Sequence, residues 1–203
     1  MKLLITFFLL LDFSVASLVY RFPAERYRTE QVTWLGLDFT MAQFINGSAF
    51  EDPEMIVSSY IPDWNNIVIK EAAKFNVKKL LHKSDMVIDL ELTDHFNSKI
   101  SSDNIVYEKN ISIEPGSIYE DSRKYATLNN KGLGVVLYVE TFNKVTLLGI
   151  YRLVIIDLET GDSLFSEKIL QKPKGFGIRN FWLDSFYNSL KYLDKKMALW
   201  GIA

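Results

Sequence analysis

The chain has 203 residues, no cysteine, two histidines, and 23 basic against 25 acidic side chains, for a formal charge of −2. That balance excludes a general nucleic-acid surface, which needs a basic excess. The missing cysteines exclude disulfides, thiolate metal sites and cysteine nucleophiles.

Met1-Lys2 is a short basic start, Leu3 to Leu11 an apolar run, and Ser14-Val15-Ala16-Ser17 a set of small residues. This pattern predicts a signal peptide over residues 1–17, and so an exported protein, periplasmic or extracellular. An uncleaved anchor is the competing reading, although the run is about half of the roughly 20 apolar residues a span needs. No later segment is apolar enough to cross a membrane. Residues 18–203 show no repeat or linker and read as a single α/β domain. Loss of Lys2 and Asp12 with the leader leaves the charge at −2.

Residues 18–30, with Arg21, Arg26 and Arg28 among aromatics, read as a lead-in. Residues 31–39 alternate as a strand ending at Asp38, and 41–52 read as a loop turning at Asn46-Gly47-Ser48. Asp52-Pro53 predicts a short helix start. Pro62-Asp63 is expected to interrupt it, with Asp63 capping a second helix to about residue 74. A helical piece comes next over 77–83. Residues 86–93 alternate as a strand with one wet face, helix being the competing reading. Residues 94–130 are poorly patterned, with one helix expected near 117–128.

From Gly132 the signal sharpens. Residues 135–142 are apolar on both faces, as in a central strand. Residues 147–157 and 163–170 continue as strands joined by a turn in which Gly161 takes positive φ. Leu183, Phe186, Leu190, Leu193 and Met197 then repeat as the buried stripe of a helix over 178–197. The expected fold is an α/β sandwich: a mixed sheet with a C-terminal antiparallel three-strand meander, packed by a long C-terminal helix.

Gly132-Leu133-Gly134-Val135-Val136-Leu137-Tyr138-Val139-Glu140-Thr141-Phe142-Asn143-Lys144 and Gly175-Phe176-Gly177-Ile178-Arg179-Asn180-Phe181-Trp182 resemble a family of exported bacterial proteins of unknown function. Trp34-Leu35-Gly36-Leu37-Asp38-Phe39 and Pro62-Asp63-Trp64-Asn65-Asn66 resemble the same family's earlier segments. In topology the arrangement is similar to periplasmic α/β domains of the TolB amino-terminal and curli-secretion-channel type. The resemblance implies assembly and protein contact rather than catalysis, and it is an analogy of fold.

Phosphate-loop and dinucleotide signatures are absent, and no cofactor or metal is expected. The nearest ligand signal is the run around Lys174, Gly175, Gly177, Arg179 and Asn180. Its glycines allow backbone approach at a helix start, and its cations suit an anion; the plainer reading is a strand-to-helix turn. Glu140, in the most apolar strand, requires a partner, and Arg152 on the adjacent strand is the candidate. Asp38 at a strand end, Trp64 and Asn65 at a helix start, and Asn143 at a strand end complete the candidate surface. The sequence favours a non-enzymatic exported binding or envelope-assembly module, its partner an envelope protein or a small ligand. The alternative is a small-molecule, anion-binding or hydrolytic site near the Gly175 to Arg179 loop, gathering Asp38, Asn143, Arg179 and Asn180.

Overall fold

The computed structural model describes residues 21–127 and 131–202. The expected signal peptide lies outside them. Strand β5 (Leu133–Asn143) is the axis of a mixed, seven-stranded sheet, and its β-branched and aromatic residues are buried on both faces. Along one side, β1 (Val32–Asp38) runs parallel to its first half, from Val32↔Leu133 to Asp38↔Tyr138. Strand β2 (Gln43–Ile45) runs parallel to its last three residues, Thr141 to Asn143. Strands β3 (Val87–Ile88) and β4 (Val106–Tyr107) extend outward from β1 and β2, also in parallel. Along the other side, β6 (Leu148–Asp157) and β7 (Ser163–Gln171) pair antiparallel.

The mixed α/β character and the long last helix agree with the sequence reading. A sandwich built on the antiparallel meander is not the architecture, because β1 to β4 join by parallel pairings and helices cover both faces. Three of those four strands are only two or three residues long, too short to show a period.

Helix α7 (Ile178–Leu199) lays Leu183, Phe186, Leu190, Leu193 and Met197 against Val135, Leu137, Val139, Leu153 and Ile155 on one face. The other face carries Leu35, Val136, Tyr138, Val154 and Ile156. It is covered by Ile118 of α6 (Pro115–Ser122) and by Tyr125 in the turn after that helix.

Several boundaries differ from expectation. The lead-in folds as α1 (Ala24–Thr29), whose Tyr27 is buried and donates to the Leu81 carbonyl at 2.8 Å. Asp52 does cap α2 (Pro53–Met55), accepting from the Met55 N–H. Pro62 does not interrupt the helical path: a π-helical stretch, Ile56–Tyr60, leads directly into α3 (Ile61–Lys70). The wider turn accommodates a ring that lacks an N–H and crowds the preceding carbonyls. Asp63 is therefore an exposed helical residue and not a cap. After α4 (Val77–Leu80), the expected strand at 86–93 shrinks to β3 and is succeeded by α5 (Glu91–Asn97). There Leu90, Thr93 and Asn97 are buried at helical spacing.

Phe186 is 1% exposed and stacks on Phe75. Truncation to Ala should cost about 3–5 kcal/mol, a large share of the roughly 5–15 kcal/mol that holds a domain together. Lys191→Ala on the exposed side of α7 should change the denaturation midpoint little. Equal small effects in chemical denaturation would remove this helix from the core.

Candidate functional site

Strand β3 accompanies β1 only at Thr33 and Trp34. Past that point the outer edge of β1 is bonded by side chains. Thr93 donates to the Leu35 carbonyl. Asn65 accepts from the Leu37 N–H at 2.7 Å and donates to its carbonyl at 2.9 Å. Asn97 donates to that same carbonyl and accepts from the Phe39 N–H at 2.8 Å. Asn65 is thus committed to the backbone and buried. Trp64, beside it, is 1% exposed, stacks on Phe39, meets Phe142 edge-on and donates to the Arg179 carbonyl at 3.0 Å. These two candidate ligand residues are occupied with packing and chain alignment.

Asp38, fully buried, anchors a polar cluster at the carboxyl end of β1. One carboxylate oxygen accepts from the Thr40 N–H and hydroxyl. The other accepts from the Tyr125 hydroxyl at 2.7 Å and pairs with Lys124 Nζ at 2.8 Å. Lys124 also pairs with Asp121 at 2.7 Å, and Asp121 accepts from the Tyr138 hydroxyl at 2.9 Å. Burial, then the Asp38 charge, push the phenols of Tyr125 and Tyr138 well above their ordinary value. Both stay neutral and serve as donors. Lys124, Tyr125 and Asp121 come from a region with little periodic signal, and sequence reasoning did not connect them to Asp38.

Glu140 sits on the same sheet face, where β5 bulges against β6. Arg152 Nε lies 2.6 Å from one of its oxygens, as the sequence suggested, and Lys168 Nζ lies 3.0 Å from the other. The arginine also donates to Ser166.

The remaining candidates lie at the end of the sheet where β5 turns into β6 and β7 runs into α7. Asn143 accepts from the Val145 and Thr146 N–H groups and shapes the hairpin turn. Gly175 and Gly177 hold φ of +124° and +76°. The Lys174 N–H donates to Asp184. Arg179 faces Asp63 at 3.8 Å and reaches Asn180 at 3.4 Å. Asp38 and Glu140 lie on the face opposite Trp64 and the Arg179 backbone, so the four-residue gathering of Asp38, Asn143, Arg179 and Asn180 does not form. Between the two glycines, Phe176 is 94% exposed, and Val145 on the neighbouring turn is 69% exposed. A bulky apolar residue bracketed by glycines was the overlooked signal.

Among the described residues, a cavity of about 700 Å³ lies between Arg21 to Arg28 and Leu199 to Gly201, away from both polar clusters. A groove of about 470 Å³ beside the Asp38 cluster is lined by Thr40, Phe96, Lys99, Asn104, Asp121 and Lys124. Among the described residues no group of His, Cys, Asp or Glu is arranged to hold a metal. No helix among them is long and apolar enough to cross a membrane. No protein-family model matches the chain, and no curated protein is significantly similar to it.

Asn65→Ala strands the buried Leu37 N–H and should destabilise by about 1–3 kcal/mol, measurable as a lower urea midpoint with unchanged slope. Burial also raises the phenols of Tyr27 and Tyr151 above their ordinary value. With folded pKa values above the unfolded one, all four buried tyrosines bind more protons in the folded state at high pH. Their contribution to stability should therefore be constant below about pH 10 and fall steeply above it, each phenol adding about 1.4 kcal/mol per pH unit to the loss. Phenolate absorbance should report these groups ionising only as the protein unfolds.

Proposed function

We propose that the chain is an exported, non-enzymatic binding or envelope-assembly module. It engages its partner through the sheet end formed by the β5–β6 turn and the loop before α7. The observation that carries this reading is Phe176, an aromatic side chain 94% exposed on a loop held by two positive-φ glycines. With Val145 and Leu147 also exposed on the adjacent turn, the ring belongs to an uncovered apolar group of the kind that marks a contact surface. The buried carboxylates point the same way. Asp38 is bonded by Lys124, Tyr125 and Thr40, and Glu140 by Arg152 and Lys168. Carboxylates so engaged suit structure better than proton transfer. The resemblance read from the sequence to exported assembly domains implies a role of the same kind. A small-molecule or hydrolytic site joining the end of β1 to the Gly175–Arg179 loop finds less support, since its residues lie on opposite faces.

A photo-crosslinking amino acid in place of Phe176 should capture envelope material in intact cells, while the same probe in place of Thr40 should not. Capture only from position 40 would move the function to the groove.

A further inference from the structure

Resting on that reading of the sheet end, we infer that its partner is the surface of an anionic lipid bilayer. Two loops meet there. Register pairs Asn143 with Leu148 across the β5–β6 turn and Gly149 with Gln171 on β7, which places the turn beside the loop leaving β7. Lys144 Nζ lies 3.8 Å from the centre of the Phe181 ring, so the turn also leans on the first turn of α7.

The two loops share one composition. Val145, Leu147 and Phe176 are 69%, 48% and 94% exposed. Residues 143–148 and 171–180 contain Lys144, Lys172, Lys174 and Arg179 and no acidic residue, in a chain whose net charge is −2. Among the acids around these loops, Asp184 is bonded to the Lys174 N–H and to Asn188, and Asp63 faces Arg179; Glu108 follows the end of β4, two strands away. Exposed apolar tips on loops that also carry Lys172 and Lys174 match a bilayer interface in both respects. The rings and branched chains enter the headgroup and acyl boundary, and the ammonium groups meet lipid phosphates. The charge complementarity favours a lipid surface over a protein groove, where an aromatic anchor is more often enclosed by a depleted charge set.

The mature chain is sedimented with vesicles of phosphatidylcholine alone or with phosphatidylglycerol added. Binding is expected to the mixed vesicles, several-fold weaker to the neutral ones, and weakened by salt. Phe176→Ser, and separately Lys172→Gln with Lys174→Gln, should each reduce binding about tenfold or more. Both changes lie on exposed positions and should leave the unfolding midpoint unaltered. Phe176→Trp should show an emission blue shift on adding anionic vesicles. Absence of vesicle binding, or binding indifferent to these substitutions, overturns the inference. A concentration-dependent dimer lost in Phe176→Ser also overturns it and assigns the tip to a second copy. If vesicles fail while crosslinking from position 176 captures an envelope protein, the binding-module reading stands and only the lipid partner is wrong.

Discussion

The outer edge of β1 beyond Trp34 must be hydrogen-bonded although no strand lies along that edge there, because buried peptide groups left unpaired are costly. Thr93, Asn65 and Asn97 meet that need from α3 and α5. The consequence reaches far. Each amide fixes the rotation and height of its helix against the sheet edge. Gly36 marks the same constraint from the strand side. It holds φ of +102° at a bulge, and a β-carbon there would fall 2.7 Å from Leu90 and 2.9 Å from the Asn65 amide oxygen. The bulge, the glycine and the asparagine form one device. It ends at Asp38, where the chain leaves the sheet before returning as β2.

Where β1 leaves, the face opposite α7 becomes polar. Asp38 with Lys124, and Glu140 with Arg152 and Lys168, occupy positions that a purely apolar core would fill. Buried ion pairs contribute little net stability compared with well-packed hydrophobes, yet losing one partner is expensive. Their effect is to penalise other alignments. A one-residue slip of β5 against β6 would turn Glu140 away from Arg152 and bury it unpaired. Lys124 similarly ties the turn after α6 to the end of β1, joining a segment with weak local propensity to the sheet.

Legibility in the sequence tracked the range of the forces involved. β5, β6, β7 and α7 carry long periodic patterns and were readable, as was the Glu140–Arg152 pair, because neighbouring strands put those residues within reach. β2, β3 and β4 were not, since a strand of two or three residues owes its existence to the edge it joins. The alternation over 86–93 misled because Leu90, Thr93 and Asn97 satisfy a helical spacing that only burial against β1 selects. Pro62 misled because a π-helical turn can absorb it. Of the candidate site residues, Trp64 and Asn65 proved to be committed to core packing and backbone bonding, which depends on a partner 28 residues away in the chain. Asp38 and its cation are 86 residues apart, and nothing local links them.

The Asp38 cluster and the hairpin tip therefore differ in physical character, although parallel pairing of β1 with β5 points both toward the same end of the sheet. In the Asp38 cluster the charged groups answer one another, so they are held in place. At the hairpin end, long antiparallel strands project a turn and a glycine-bracketed loop whose apolar side chains have no cover within the described residues. Loops positioned by a rigid scaffold are where binding residues concentrate. The strand-to-helix connection before α7 needs a turn, but it does not need a phenylalanine: a β-carbon at Gly177 would meet nothing within 4 Å, so the loop is open around the ring. A small polar residue at position 176 would connect β7 to α7 equally well. The exposed ring is thus not a requirement of the fold, which is why the proposed contact is placed there.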